Sequence, residues 1–209
     1  MVFYEVDEAL RALVRADVAG AAQVEVAFDA PTREWSSRRN APTINLYLYD
    51  IREDLRRRER GLVNTYDERG TVVERRYPPR HFKATYLITA WTQRPEDEHR
   101  LLSALLYGFL HNETIPQELL TGRLAEIGLP VTISVALPPP EDRSFADVWS
   151  ALGGELKPSL DVVVTAPVDD GKRFSVGPPV QAGVAVGLGD GVRRDPPRRK
   201  HRPAAPDRP

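Results

Sequence analysis

Pro42-Thr43-Ile44-Asn45-Leu46-Tyr47-Leu48-Tyr49-Asp50-Ile51 is dominated by β-branched and aromatic residues, the composition of a strand. On an extended backbone Ile44, Leu46 and Leu48 share one face, while Asn45, Tyr47 and Tyr49 share the other. One face suits a core and the other suits water, a covering helix or a partner. The stretch then runs directly into Arg52-Glu53-Asp54-Leu55-Arg56-Arg57-Arg58-Glu59-Arg60, a dense charged segment that no sheet interior accommodates.

Working outward, Phe82-Lys83-Ala84-Thr85-Tyr86-Leu87-Ile88-Thr89-Ala90-Trp91 is a second strand of the same character. We expect it to pair antiparallel with residues 42–52. The intervening 54–79 then form an arm rooted on the sheet, with a short hairpin near Thr71-Val72-Val73-Glu74. A connection longer than about 12–15 residues is usually functional or disordered. Upstream, Val6, Leu10, Leu13 and Val14 make an amphipathic stripe that predicts a helix over 4–16, and Gln23–Phe28 alternates as a strand. Residues 32–41 read as a loop.

Downstream, Pro95 and the acidic run Glu96-Asp97-Glu98 open a helix whose apolar face holds Leu101, Leu102, Leu105, Leu106, Phe109 and Leu110. Pro130–Val135 alternates as a further core strand. Pro138-Pro139-Pro140 is an extended linker, and Ser144–Leu152 is a short helix stopped by Gly153-Gly154. Leu160–Thr165 is the last clear strand, and the glycine-containing run 180–188 is a weaker candidate.

The fold class expected is α/β in the α+β sense, a single mixed, largely antiparallel sheet flanked by helices. Leu46, Leu48, Ile88, Trp91, Leu105, Phe109 and Trp149 are the candidate core. Residues 1–168 form the domain, 169–192 a Gly/Pro-rich extension, and 193–209 a basic tail expected to be disordered, with seven Lys or Arg against two Asp.

Composition narrows the chemistry. The 209 residues contain no cysteine, which removes disulfides, thiol nucleophiles and thiolate metal sites. His99 and His111 stand twelve residues apart on one helix, roughly 18 Å along its axis, too far to share a metal. No serine has a G-x-S-x-G context. The glycines at 183, 187, 189 and 191 lead into Arg193-Arg194-Asp195-Pro196-Pro197 rather than into a helix, against a phosphate loop. We therefore expect no catalytic residue, metal or cofactor. The acidic start Met1–Glu8 is no secretory signal, and no apolar run approaches the roughly 20 residues of a membrane span. The protein is expected to be soluble and made in the cytoplasm. A net charge of −1 argues against a dedicated nucleic-acid binder. An adaptor using its basic tail on nucleic acid or an acidic protein is the alternative to an assembly protein.

The arm has two readings, a solvated mixed-charge face or an interface. Arg56, Arg57, Arg58 and Arg60, with Tyr66, Arg75, Arg76 and Tyr77, are the candidate partner contacts, because Arg and Tyr are favoured anchors at interfaces.

The ordered set of elements resembles the cap, or tail-terminator, proteins of phage-tail-like contractile injection systems, at their N-terminal domain. The likeness is carried by the first helix with Val6, Leu10 and Leu13, by Val24–Pro31, by Pro42–Ile51 with its charged sequel, and by Tyr86–Trp91 before the Glu98–Leu110 helix. It closes with Trp149-Ser150-Ala151-Leu152-Gly153 and Lys157-Pro158-Ser159-Leu160. The resemblance implies a ring, six-fold in that family, that ends the inner tube and offers a surface to the sheath. Its implied partners are further copies of itself, the inner-tube protein and the sheath protein. The chain would then become part of an injection particle. Longer members carry further material after this domain.

Overall fold

The computed structural model describes residues 2–17, 24–138 and 145–177. One compact unit spans Met1–Val176, and a second, Gly177–Pro209, lies outside the described residues apart from Gly177. The run 180–188 and the basic tail both fall in that second unit.

Five strands make the main sheet in the order β1-β2-β5-β7-β6: β1 Glu25–Ala27, β2 Thr43–Glu53, β5 Arg80–Trp91, β6 Thr132–Val135 and β7 Leu160–Val168. Only β1 and β2 run parallel; β2–β5, β5–β7 and β6–β7 are antiparallel. This is the open, largely antiparallel sheet flanked by helices that the sequence predicts. Three further strands, β3 Val63–Tyr66, β4 Val72–Arg76 and β8 Arg173–Ser175, form a second sheet in the order β3-β4-β8.

The main sheet's register sorts its side chains. Ile44, Leu46 and Leu48 stand opposite Ala90, Ile88 and Tyr86, and Tyr86 and Ala84 stand opposite Val162 and Val164. That face is covered by α1 (Val2–Asp17) and α3 (Pro95–His111), whose Val6, Leu10, Leu13, Leu102, Leu105 and Phe109 enter the same cluster. Burying each such side chain is worth roughly 1.5–3 kcal/mol. One polar pair lies within this layer. The Tyr86 hydroxyl donates to Asp7 Oδ1 at 2.7 Å, and burial pushes both groups' pKa values upward, Tyr86 further because it faces a carboxylate.

A fourth helix, α4 (Gly122–Ile127), has Thr121 before it but no side-chain cap from that residue. Glu5 of α1 replaces the cap, its Oε2 accepting from the Leu124 amide at 3.1 Å. Burial works to raise the Glu5 pKa, but the hydrogen bonds it accepts, those from Leu124 and Arg123 included, outweigh it and hold it low. Gly122 is needed here twice over. Its φ is +55°, and a Cβ would stand 2.7 Å from Glu5 Oε1.

The opposite face of the main sheet buries Leu87 in mid-strand, and Asn45 and Thr89 toward one end. There α2 (Arg33–Ser37) and α5 (Phe145–Ala151) accompany three tryptophans. Trp35 and Trp91 meet edge to face at 5.5 Å, Lys157 Nζ lies 4.3 Å from the Trp91 ring centre, and Trp149 is 2% exposed. Asn45, on the face expected to meet water, a covering helix or a partner, is fully buried, with its Nδ2 donating to the Asp29 carbonyl at 3.0 Å.

Several expectations are corrected. Residues 32–41 are not all loop: Thr32 Oγ1 accepts from the Trp35 amide at 3.1 Å and starts α2. Leu48 is only half-buried, packed against the cluster's margin, and Trp91 lies outside the cluster because strand alternation turns it to the other face. Leu46, Ile88, Leu105, Phe109 and Trp149 are buried. The β6 strand, expected as a core strand, stands at the sheet edge. Finally, the fold does not stop at residue 168, since β8 lies beyond it and pairs with β4.

Candidate assembly interface

The arm begins where β2 breaks its own alternation. Leu48 stands opposite Tyr86 and Asp50 opposite Thr85, so Tyr49 is an extra residue, a β-bulge. Under strict alternation Asp50 would follow Leu48 onto the apolar face. The bulge turns it away, and the Tyr49 hydroxyl donates to the Asp161 carboxylate at 2.8 Å. Beyond it β2 carries Ile51, 45% exposed, out of the core.

Asp54 ends the strand. Its amide donates to the His81 carbonyl at 2.8 Å, and its Oδ1 accepts from the Arg56 amide at 3.3 Å, starting a single 3₁₀ turn over Leu55–Arg57. The β3–β4 hairpin is closed by Asp67, whose Oδ1 accepts from the Arg69 and Thr71 amides at 2.9 and 2.8 Å, with Gly70 at φ +75°. The predicted short hairpin near 71–74 is thus larger, and it is completed by β8, with Arg75 opposite Phe174 and Tyr77 edge-on to Phe174 at 5.3 Å.

Ion pairs fix part of the arm. Glu53 accepts from Arg80 Nε at 2.7 Å and faces Arg58 at 3.6 Å; the Arg80 bond first, and Arg58 beside it, hold the Glu53 carboxyl low, while the Glu53 bond raises Arg80. Asp54 meets Arg57 at 3.9 Å and Lys83 at 3.6 Å. Asp169 gathers Arg173 at 2.9 Å and Arg76 at 3.6 Å, and its carboxyl is held low by the Arg173 hydrogen bond first.

The candidate contacts therefore divide. Arg57, Arg58 and Arg76 serve the arm's own structure. Arg56, Arg60 and Arg75 are exposed and make no ion pair among the described residues. Tyr66 and Tyr77 are 59% and 43% exposed, alongside Leu55, Leu62, Val63 and Val73 at 66%, 45%, 41% and 49%. Sequence reasoning missed these aliphatics because one or two apolar residues at a time carry no periodic signal. Beside them Arg58, Arg60, Tyr77, Arg80 and Asp170 line a cleft of about 560 Å³. A second, of about 640 Å³, lies at the far end of β5 between Arg39, Pro42, Trp91, Arg94 and Leu101. Among the described residues no three His, Asp or Glu stand together as metal ligands. No described helix is long and apolar enough to cross a membrane.

His81 sits at the arm's root, half-buried, its Nδ1 without a hydrogen-bond partner among the described residues. Burial, and then Arg57, lowers its pKa below 6.5. The unfolded chain thus takes up a proton in a window where the folded one does not. The stability contribution of neutral His81 is intact above pH 6.5 and is lost as pH falls through the lower folded value. Urea titrations from pH 7.5 to 5 should show wild type losing more stability than His81→Gln; parallel curves would contradict the assignment.

With this geometry in place, comparison identifies the family. The Pvc16 N-terminal domain model matches residues 5–182. The chain belongs to the Pvc16 N-terminal domain family. Among solved structures, it is similar to the sheath/tube terminator of PVC, an extracellular contractile injection system, in its extended state. The identity is 23% and the TM-score 0.68, over 92% of this chain and 66% of that one. It is also similar to the tube-terminating cap of the anti-feeding prophage, at 25% identity and a TM-score of 0.59, over 87% of this chain and 60% of that one. The chain thus spans about two thirds or less of the length of these relatives. No curated protein sequence matches it. The matched residues 5–182 take in both the five-stranded sheet and the hairpin completed by β8.

Proposed function

We propose that this chain is a structural cap subunit that ends the inner tube of a phage-tail-like contractile injection particle, assembles as a ring and offers a surface on which the sheath also ends. The observation that carries the reading is the family match over residues 5–182, and the likeness to a sheath/tube terminator and a tube-terminating cap supports it. The role is one of contact rather than chemistry. Its partners are further copies of the chain, the tube protein and the sheath protein, and the arm is the surface we assign to partner contact.

Electron microscopy of particles from cells with and without the chain tests this. Tubes of uniform length with a closed end are expected with it, and tubes of irregular length without it. Uniform tubes in its absence would overturn the proposal. In the same assay Arg56→Glu with Arg75→Glu should reduce incorporation, because neither side chain holds an ion pair in the arm itself. Unchanged incorporation would leave those charges as solvated surface.

A further inference from the structure

The small sheet sorts its charges by face. Residues directly opposite one another in antiparallel strands point to the same side. Asn64, Arg75 and Phe174 form one row across β3, β4 and β8 and so share a face. Tyr66 is on it too, its hydroxyl accepting from Asn64 Nδ2 at 3.3 Å. Tyr77 meets Phe174 edge-on at 5.3 Å, and Lys172 Nζ lies 5.2 Å from the centre of the same ring. The other face holds Glu74 and Arg76, with Ser175 and Arg173 opposite them. There Glu74 pairs with Arg173 at 3.3 Å, and Asp169 with Arg173 and Arg76 at 2.9 and 3.6 Å.

The second face is thus neutralised from within, two carboxylates against two guanidinium groups. The first is not. It presents three aromatic rings with Arg75 and Lys172, and none of the three strands places an Asp or Glu on it. Arg75 and Lys172 are exposed and make no ion pair among the described residues, and Tyr66 and Tyr77 are exposed beside them. Of the acids in the flanking turns, Asp67 and Asp170 are turned onto the backbone amides of Arg69, Thr71 and Lys172, and Glu68 stands at the hairpin tip.

Rings flanked by unpaired cations suit a partner that brings carboxylates to the cations and apolar side chains to the rings. Charge narrows the source. The chain's own residues 193–209, with seven Lys or Arg against two Asp, are of the wrong sign. Its acidic run Glu96-Asp97-Glu98 is helical, with Asp97 already on Arg100 and Glu98 on Lys157. We propose that the face carrying Tyr66, Arg75, Lys172, Phe174 and Tyr77 binds an acidic segment, anchored by apolar side chains, of a different protein. The proposal rests on the cap reading only in taking the arm as the surface of partner contact.

Fluorescence anisotropy of the fluorescein-labelled peptide Asp-Leu-Asp-Asp-Leu-Asp, titrated with the full chain, tests it. Binding is expected, weakening as salt rises. Arg75→Glu and Lys172→Glu should each weaken it about fivefold, and neither breaks an ion pair of the fold. Tyr66→Ala should weaken it by a similar factor while leaving the salt dependence as in wild type. Val63→Glu adds the same charge on the other face, opposite Arg76, and should leave binding unchanged. No binding at about 1 mM would overturn the proposal. So would equal binding of the peptide with lysine in place of aspartate, tighter binding of labelled oligothymidine, or a Val63→Glu loss as large as that of Arg75→Glu. Self-association of the purified chain that Arg75→Glu abolishes would give the face to a second copy instead. Tube length and end morphology are read separately, so failure here leaves the cap reading to its own test.

Discussion

Trp149→Ala is expected to destabilise the fold by about 3–5 kcal/mol, the range for removing a large aromatic from a packed interior. Trp149 is 2% exposed and lies outside the main cluster. It belongs to the end of the sheet's second face that also holds Trp35 and Trp91. Its surroundings fit it closely. A Cβ on Gly154 would come within 3.2 Å of the indole Cε3, so the chain after α5 is laid directly against the ring. The Trp149 Nε1 is buried without a hydrogen-bond partner among the described residues, so Trp149→Phe should recover much of the loss, having no polar atom to bury. Urea denaturation followed by circular dichroism reads both values. A Trp149→Ala loss under 1 kcal/mol would mean that α5 does not close this face.

Glu98→Ala should cost on the order of 3 kcal/mol, through two losses at one site. Glu98 is 8% exposed, and its Oε1 accepts from Lys157 Nζ at 2.6 Å and from the Thr92 amide at 3.2 Å. The second bond satisfies an amide just ahead of α3, where Arg94 supplies no side-chain cap. Removing the carboxylate also leaves Lys157, 23% exposed at its side chain, with the Trp91 ring as its remaining partner among the described residues. Lys157→Met alone should be costly for the converse reason. The double variant should cost less than the sum, with a coupling of about 0.5–3 kcal/mol in a double-mutant cycle. Strict additivity would show that the two side chains act independently.

The elements legible in the sequence are those whose order is imposed by long, regular patterns. β2 and β5 have eleven and twelve residues of strand composition, and α3 has a proline and three acids at its start with a broad apolar face. Short elements were not legible in the same way. The five residues of α2 have no periodicity to show, although Thr32 three residues before Trp35 is a capping signal. β8 is three residues whose strand character depends on pairing with β4, about one hundred residues earlier in the chain. α4 is capped by Glu5 from another helix, a relation that sequence spacing does not express. The same limit applies to the arm. Its arginines were visible as a cluster, but the separation of Arg57, Arg58 and Arg76 from Arg56, Arg60 and Arg75 rests on carboxylates brought in from β2 and from residue 169.

The long ladder between β2 and β5 has a mechanical consequence. Ten residue pairs link the two strands, and the bulge at Tyr49 interrupts them without ending them. A pull on the arm directed along these strands draws both the same way and loads in shear the nine pairs that hold β5 to β7, so that those bonds share the force. Three pairs hold β8 to β4, and a pull across that seam opens them one at a time. Tension reaching the protein through its arm would therefore unzip β8 from the hairpin well before it disturbed the sheet. The small sheet is the part that yields, and the main sheet is the anchor.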